Sequence, residues 1–232
     1  MKAIEVIPVE GVGELRSGDD LADHLAGAAD LEAADVLVVT QKVFSKVEGR
    51  LVEVDADDPR GHADVVEQES VRVLRRRGDL VISETAHGFV CANAGVDLSN
   101  VDRGWAALLP TDPDRSCRKL RDRLRAATGV EVAVVMSDTF GRPWRRGVTD
   151  VAIGCAGIAA VVDLRGTSDT FGRELQVTEV AVADEIAAAA ELVMGKSRGI
   201  PAAIVRGVDG SWLRSGSVAD EIVRDPAEDL FR

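Results

Sequence analysis

Apolar and polar positions along the chain form short runs and periodic stretches that predict strands interleaved with helices. Apolar runs of strand length, rich in valine, isoleucine and alanine, occupy residues 3–9, 35–40, 132–136 and 200–206, and such runs are typical of β-strands. The first run contains Pro8. Because proline has no backbone N–H, that strand is predicted to lie at the edge of a sheet.

Helices are predicted where apolar or alanine-rich segments lie between capping residues, at about residues 17–28, 62–77, 116–127 and 179–194. In the second segment the apolar residues recur at helical spacing, the arginines at 75–77 complement the helix C-terminus, and Gly78 ends it. In the third segment Ser116 is the predicted N-cap and Gly129 the predicted stop.

A predicted hairpin breaks the alternation of strands and helices. Its strands, 79–84 and 88–92, are joined by a turn that contains His87, a residue expected to be exposed rather than catalytic. Since a doubly wound sheet needs regular strand–helix–strand units, the predicted class is a mixed α/β (α+β) fold. Residues 1–232 contain no repeat, linker or compositional boundary. A single domain is therefore predicted, and its division into two lobes is left open.

The overall composition restricts the class of partner. Apolar residues make up 46% of the chain but aromatic residues only 3%, so the core is predicted to consist of valine, alanine, leucine and isoleucine. The net charge of −12 repels a polyanion and argues against nucleic-acid binding. A small anionic substrate remains compatible with this charge where a basic cluster or a metal ion offsets it.

The cysteines bear on the cellular compartment. Cys91, Cys117 and Cys155 are widely spaced and form neither a CxxC pair nor a zinc-binding pattern. An odd number of cysteines without a signal-peptide pattern favours reduced thiols in a cytoplasmic protein. No apolar run approaches the ~18 residues that cross a bilayer, so no membrane segment is expected.

Residues 131–154 carry the densest candidate chemistry. The oxygen-bearing residues Ser137, Asp138 and Thr139 follow the apolar run, where the strand is predicted to end. A turn around Trp144 then presents three arginines, which are candidates to bind phosphate or substrate carboxylates: Arg142, Arg145 and Arg146. Hard oxygen ligands beside guanidinium groups suit a metal-bound phosphate. A polar turn with a solvated basic rim is the alternative interpretation.

Other polar positions give weaker signals. Asp97 and Asn100 lie in one loop and can place oxygens around a cation or nucleotide, although both are also ordinary turn residues. Lys46 follows a strand and a turn, where a lysine can meet a phosphate or be solvated. The string GKS at 195–197 imitates the end of a P-loop, but Ala190 stands where the first glycine is required and the string follows a helix. A P-loop is therefore excluded, and a phosphate contact through Lys196 and loop amides stays open.

Several longer strings resemble one family. They are GDDL at 18–21, DVLVVTQKVFSKVEGR at 35–50, NAGVDLSNV at 93–101, LLPTDPDRS at 108–116, SDTFGRPWRRGVTDVAIGCAGI at 137–158 and VTEVAVADEIAAAAELVMGKSRGIPAAIVRG at 177–207. Together they are similar to the coenzyme F420-0:L-glutamate ligase family nearly from end to end. The combination is specific, although each short piece alone is not.

The resemblance implies a ligase that uses GTP and a divalent metal, Mn²⁺ or Mg²⁺, with a monovalent cation such as K⁺ as a further candidate. Such an enzyme phosphorylates the terminal carboxylate of coenzyme F420-0. The amine of L-glutamate then attacks the acyl phosphate and forms an amide, and further γ-linked glutamates can follow. The resemblance also implies a homodimer with its site at the subunit interface. The fused nitroreductase-like domain of some relatives is not expected in this chain.

The resemblance also assigns roles to individual residues. It implies that Asp97 and Asp138 bind one metal ion, that Thr139 binds a second, and that Asn100 contacts the nucleotide. The other implied nucleotide contacts are Val12, Gly13, Glu14, Leu15, Thr40, Gln41, Lys46, Met194, Gly195, Lys196 and Ser197. Some relatives carry an acid or amide as a second-metal ligand where this chain has Lys196. A protonated lysine cannot ligate a metal, so the second metal is held differently or the lysine supplies part of its charge.

Three other functions are weighed against the ligase. A metal-dependent phosphatase or nucleotidase can use the same acidic residues without requiring glutamate. A non-catalytic subunit can bind a deazaflavin or a partner domain and consume no GTP. A thiol-based enzyme ranks lowest, because no histidine and acid accompany the cysteines in a recognisable pattern.

Overall fold

The structure is a computed structural model that describes residues 3–58 and 60–229. Its strands are β1 (Glu5–Val9), β2 (Val36–Thr40), β3 (Leu51–Glu53), β4 (Ser70–Arg77), β5 (Leu80–Thr85), β6 (Val90–Ala92), β7 (Trp105–Ala107), β8 (Ala133–Gly141), β9 (Val148–Ala156), β10 (Val162–Asp163), β11 (Glu179–Val180) and β12 (Ala202–Arg206). Its helices are α1 (Leu21–Ala28), α2 (Gln41–Val47), α3 (Ala63–Glu69), α4 (Pro113–Thr128), α5 (Val182–Met194) and α6 (Val218–Glu221). Short 3₁₀ turns lie at Asn93–Gly95, Gly210–Trp212 and Pro226–Glu228.

A five-stranded sheet forms the centre of the fold, in the order β1-β12-β2-β8-β9. Strands β2 and β8 pair in parallel, and the other neighbours in this sheet pair antiparallel. The smaller sheets, β3-β7, β4-β5-β6 and β10-β11, are antiparallel. The mixed α/β fold is therefore confirmed. Strand β1 lies at the edge, as Pro8 predicts.

The main hydrophobic core covers the central sheet. Strand β2 is buried over Val36–Val39, and α4 and α5 both pack against β9. Gly154 in β9 allows the close approach of α4, because a Cβ at that position would lie 2.6 Å from the carbonyl carbon of Pro113. Gly157, which follows β9, has a φ of +80° and a comparable constraint, with Arg121 Nε 2.7 Å from its notional Cβ. Gly154 is therefore the position at which backbone approaches backbone.

A second, smaller hydrophobic core lies beside the first. It contains Val66, Val81, Val96, Ala106 and Leu108, which come from α3, β5, β7 and the segments next to them. The loop at Asp97 is attached to this part of the fold. The backbone N–H of Asp97 donates to Ala107 O at 3.0 Å, and Ala107 N–H donates to Asp97 O at 2.8 Å. This pairing fixes the direction of the loop.

The predicted helix over 62–77 is wrong in its second half. Helix α3 ends at Glu69, and residues 70–77 form β4, which pairs antiparallel with β5 across the turn at Gly78. The sequence SVRVLRRR contains β-branched residues in alternation as well as apolar residues at helical spacing. Pairing with β5 selects the extended form, because the neighbouring strand provides hydrogen-bond partners for the backbone N–H and C=O groups. The arginines at 75–77 consequently lie in a strand and do not cap a helix.

Two local predictions also need correction, and a third is confirmed. Strand β8 does not end at residue 136 but continues through Ser137, Asp138 and Thr139 to Gly141. Helix α4 begins earlier than predicted, because its N-cap is Asp112, whose side chain accepts from Arg115 N, and Pro113 occupies the first turn. Its predicted stop at Gly129 is confirmed by a left-handed φ of 72°.

Two further segments differ from the expectation. Residues 41–47 form the helix α2, which the polar composition after β2 did not indicate. His87 is half-buried, since its ring stacks on Phe89 and its Nε2 lies 2.9 Å from Pro110 O.

None of the helices within residues 3–58 and 60–229 is both long and apolar enough to cross a membrane.

Candidate functional site

A cavity of about 620 Å³ lies where β2 ends and α2 begins. Its lining comes from five separate parts of the chain: the loop after β1, the end of β2 with α2, the loop at Asp97, the β8–β9 hairpin, and the C-terminal end of α5 with the segment that follows it. Twelve of the residues predicted for the site line it: Gly13, Glu14, Leu15, Thr40, Lys46, Asp97, Asn100, Asp138, Thr139, Met194, Gly195 and Lys196. The fold therefore brings the three predicted metal ligands and nine of the twelve predicted nucleotide contacts to one place.

Six predicted residues lie outside the lining of this cavity. Val12 is buried in the core, and Ser197 is exposed. Gln41 is buried, and its Nε2 donates to Leu108 O at 3.0 Å, so this side chain ties α2 to the segment after β7. The three arginines are exposed in the turn between β8 and β9: Arg142, Arg145 and Arg146. Their assignment to phosphate or substrate carboxylates stays a prediction.

Lys42 and Asp97 form an ion pair at the cavity wall. Lys42 Nζ donates to Asp97 Oδ2 and, at 2.9 Å, to Ser99 Oγ. The backbone N–H of Ser99 donates to the other carboxylate oxygen at 2.7 Å. Burial on its own raises the pKa of Asp97, but the hydrogen bond and charge of Lys42 together with Ser99 hold this pKa below its ordinary value. Asp97 is therefore an anion at neutral pH.

Asp138 has the opposite electrostatic environment. Burial raises its pKa to about 7, and the charges of Asp97 and Asp150 add to this effect, while the backbone N–H of Thr139 and the charge of Lys42 oppose it. The Asp138 carboxylate thus has less compensating positive charge than that of Asp97. A cation at this position would stabilise its ionised form.

Asp150 is the centre of a buried polar network. Strands β8 and β9 pair antiparallel with Thr139 opposite Asp150. Ser137 Oγ donates to Asp150 Oδ2 at 3.0 Å, Thr139 Oγ1 donates to Asp150 Oδ1 at 2.6 Å, and Lys196 Nζ donates to the same Oδ1 at 2.9 Å. Desolvation lowers the pKa of Lys196, but Asp150 and Glu191 outweigh it and the net pKa is raised. The lysine is therefore a stable cation.

Sequence reasoning missed Lys42, Asp150 and Glu191, all of which line the cavity. A signal for Lys42 was present, because it follows the buried strand β2 by two residues. Asp150 was also recognisable in principle, since a hairpin through the turn at Gly141 and Pro143 places it across from the oxygen-bearing residues of β8. Glu191 carries no local signal in an alanine-rich helix.

The donors at the cavity fit one divalent cation. No group of three histidine, cysteine, aspartate or glutamate side chains within residues 3–58 and 60–229 is arranged as a metal centre. Asp97 and Asp138 nevertheless supply hard oxygen ligands of the kind that Mg²⁺ and Mn²⁺ prefer, and Mg²⁺ commonly uses only one or two carboxylates together with substrate phosphates. The raised pKa of Asp138 agrees with a buried carboxylate that the charge of Lys42 compensates only in part.

Comparison with known proteins gives a consistent relationship over the whole length. Residues 11–207 match the family described as F420-0:Gamma-glutamyl ligase. The chain is 44% identical over 246 residues to a Methanopyrus kandleri protein named coenzyme F420:L-glutamate ligase, covering 99% of this chain and 97% of that protein. Proteins of the same name from Methanothermobacter thermautotrophicus and Archaeoglobus fulgidus are each 43% identical over 99% of this chain. The match covers 99% of the first protein and 96% of the second. The chain thus belongs to the F420-0:gamma-glutamyl ligase family and is an enzyme.

Proposed function

We propose that the protein is a GTP- and divalent-metal-dependent ligase that adds L-glutamate through an amide bond to the terminal carboxylate of coenzyme F420-0 and then adds further γ-linked glutamates. The names of relatives that are 36–44% identical support the substrate and the reaction. The observation that carries the proposal is the single cavity in which Asp97 and Asp138 meet the loop residues 13–15 and 194–196. An acid pair and two such backbone segments at one cavity suit a metal-bound nucleoside triphosphate.

The lysines of the cavity suit an anionic nucleotide in a protein of net charge −12. Lys42, Lys46 and Lys196 all line it. Their ammonium groups create a local positive region that offsets the negative field of the rest of the molecule. We assign Lys46 to the nucleotide phosphates, and Lys42 to holding Asp97 in its ionised form.

The proposed chemistry needs no protein nucleophile. A carboxylate oxygen of coenzyme F420-0 attacks the γ-phosphorus of GTP, the bond between the γ-phosphorus and the β–γ bridging oxygen breaks, and GDP leaves. The amine of L-glutamate then attacks the acyl carbon, the bond from that carbon to the phosphate oxygen breaks, and the amine loses a proton. Phosphate and the amide are the products. Asp97 and Asp138 would hold a divalent cation, which supplies charge neutralisation for the phosphates.

A mass-spectrometric assay tests this function directly. Purified protein is incubated with coenzyme F420-0, L-glutamate, GTP and Mn²⁺ or Mg²⁺. Products heavier by one or more glutamate residues, absent without GTP or with EDTA, are expected. GTP consumption without a glutamylated product would instead identify a phosphatase, and no turnover with either metal would identify a binding subunit.

Asp138→Asn is the matched catalytic variant. The amide has nearly the shape of the carboxylate but lacks its charge, so turnover is expected to be lost while the circular dichroism spectrum is unchanged. Ligase activity close to that of the unmodified protein would show that the metal assignment of Asp138 is wrong.

A homodimer and a cytoplasmic location belong to the same proposal. Strands β4 and β5 expose Val71, Leu74 and Leu80, whose exposed fractions are 68%, 37% and 45%. An apolar surface of this kind suits burial against a second copy. The three free cysteines, all buried, suit a reducing compartment. Light scattering on the purified protein measures the oligomeric state.

A further inference from the structure

The ammonium group of Lys196 lies among three oxygen donors from three different elements. Its Nζ donates to Thr139 Oγ1 of β8, to Asp150 Oδ1 of β9 at 2.9 Å, and forms an ion pair with Glu191 Oε1 of α5 at 3.4 Å. Two carboxylates and a hydroxyl that converge on one point are the donor set of a hard cation. Here the cation is a side chain of the protein itself.

The hydrogen-bond donors in this network leave little freedom for a different arrangement. Thr139 gives its only hydroxyl proton to Asp150 at 2.6 Å, so its oxygen is an acceptor towards Lys196. Ser137 Oγ donates to the other Asp150 oxygen at 3.0 Å. The position from which a metal ion would bind Thr139 and Asp150 together is therefore occupied by Nζ of Lys196.

A second divalent metal at Thr139, which the family resemblance implies, does not fit this arrangement. A metal ion would have to lie within about 2.0–2.6 Å of the same oxygens. The Lys196 ammonium is paired there with the carboxylates of Asp150 and Glu191, and two cations at such a short distance repel each other strongly. The Lys196 ammonium and a metal ion are therefore mutually exclusive occupants of this position. The Lys42 ammonium instead donates to Asp97 Oδ2 and Ser99 Oγ, so it leaves the Asp138 carboxylate for a metal ion.

We propose that Lys196 is a tethered cation in the place of a second metal ion, and that this chain binds a single divalent cation, at Asp97 and Asp138. This inference rests on the proposed function in one respect, namely that the pair Asp97–Asp138 takes a divalent cation. Lys196 supplies the second positive charge at the cavity, and Asp150 and Glu191 fix its position. Because the charge is covalently attached, it is retained when metal is removed.

Manganese binding to the purified protein tests the stoichiometry. Free Mn²⁺ is measured by electron paramagnetic resonance during a titration, with and without GDP. One Mn²⁺ per chain is expected for the unmodified protein. In Lys196→Gln the ammonium is replaced by an amide whose oxygen can ligate, so a second Mn²⁺ per chain is expected. Lys196→Arg keeps the positive charge and is expected to bind one.

Variants at the first site separate the two positions. Asp138→Asn is expected to bind no Mn²⁺, whereas Asp138→Asn combined with Lys196→Gln is expected to bind one, at Thr139, Asp150 and Glu191. Lys196→Met, which removes the charge without adding a donor, is a second test if Lys196→Gln does not fold. Circular dichroism and thermal melting establish folding for each variant.

The outcomes distinguish this inference from the proposed function. Two Mn²⁺ ions in the unmodified protein, or no gained ion in both folded Lys196→Gln and Lys196→Met, would overturn the tethered cation. A third outcome is that the unmodified protein binds no Mn²⁺ while Lys196→Gln binds one. Lys196 then still occupies the position of the second metal ion. The metal dependence in the proposed function and the single ion at Asp97–Asp138 are wrong in that case.

Discussion

Thr139 and Asp150 face each other across the β8–β9 hairpin, and Thr139 Oγ1 donates to Asp150 Oδ1 at 2.6 Å. The Asp150 side chain is only 3% exposed and lines the candidate site. A buried carboxylate is stable only when it is hydrogen-bonded and paired. Ser137, Thr139 and Lys196 provide these partners, so the hairpin and the end of α5 are joined at this point.

Asp150→Asn is expected to weaken both the fold and the site. The charged hydrogen bonds to Thr139 and Lys196 become neutral or are lost, at a cost of about 1–3 kcal/mol in the free energy of unfolding. The melting temperature should fall by about 2–4 °C for each kcal/mol. The KM for GTP should rise, because Lys196 loses its anchor. Asp122→Asn, on the exposed surface of α4, is the matched control and should leave both measurements unchanged.

Added Mn²⁺ is expected to raise the melting temperature of the unmodified protein. A ligand at a hundred times its Kd stabilises the native state by about 2.7 kcal/mol, which corresponds to a rise of about 5–10 °C for a chain of this size. Differential scanning fluorimetry with EDTA as the reference measures the shift. Asp138→Asn should show almost none, since it lacks the carboxylate with the least compensating charge. An equal rise in both proteins would place the metal elsewhere.

Lys42→Met is expected to lower kcat/KM for GTP by at least about tenfold, which is about 1.4 kcal/mol of transition-state stabilisation. The variant removes a positive charge from the cavity and breaks the ion pair with Asp97. Lys119→Met removes an equal charge from the exposed surface of α4, outside the lining of this cavity, and should have no effect. Steady-state kinetics of the two variants at fixed metal concentration make the comparison. Equal values for both would show that Lys42 has no role at the site.

The sequence predicted those parts of the fold that depend on local pattern. The β-branched runs of β2, β8 and β12 were recognisable, as was the hairpin of β5 and β6. The error at β4 arose because residues 70–77 satisfy a helical and an extended pattern equally well, and only the pairing with β5 decides between them. The insertion of β12 between β1 and β2 is likewise a long-range pairing that no local segment specifies.

The candidate site was likewise predictable only where it depends on local sequence pattern. Asp97 and Asp138 were identified because carboxylates in a loop and after an apolar run are recognisable along the chain, and the family resemblance supported them. Lys42 was missed since its partner Asp97 lies 55 residues away in sequence. Glu191 was missed because it acquires a role only when α5 brings it to Lys196. Such contacts are created by tertiary structure, so the place of Lys42 after β2 was visible in the sequence but its pairing with Asp97 was not.

Gly154→Ala is expected to destabilise the protein, whereas Gly27→Ala should not. A Cβ at Gly154 would meet the backbone of Pro113 at 2.6 Å, and backbone cannot move aside as a flexible side chain can. Overpacking of this kind costs typically about 1–3 kcal/mol. Gly27 lies in α1 with nothing within 4 Å of its notional Cβ, so alanine there should stabilise the helix by about 0.5–1 kcal/mol. Urea unfolding of the two variants measures both signs.

Glu221→Gln is expected to lower stability at neutral pH and to lose this effect in acid. Glu221 Oε1 accepts from Arg214 Nη1 at 2.8 Å, and Oε2 accepts from the backbone N–H groups of Ala160 and Val161 at 3.0 and 2.9 Å. Burial on its own raises the pKa of Glu221, but these partners hold it below its ordinary value. The contacts favour the ionised form, whose hydrogen bonds are worth about 1–3 kcal/mol.

The sign of the pH dependence follows from that lowered pKa. Above the unfolded-state value of about 4.3 the carboxylate is ionised in both states, and its full contribution to stability is present. As the pH falls below this value, the unfolded state takes up a proton before the folded state does, so the contribution declines and is lost below the folded pKa. The difference in unfolding free energy between the unmodified protein and Glu221→Gln should therefore be largest near pH 7 and shrink below about pH 4. A difference in unfolding free energy that stays constant from pH 7 to pH 3 would mean that Glu221 acts by its shape and not by its charge. The control variant is Glu10→Gln, which removes a negative charge at an exposed position.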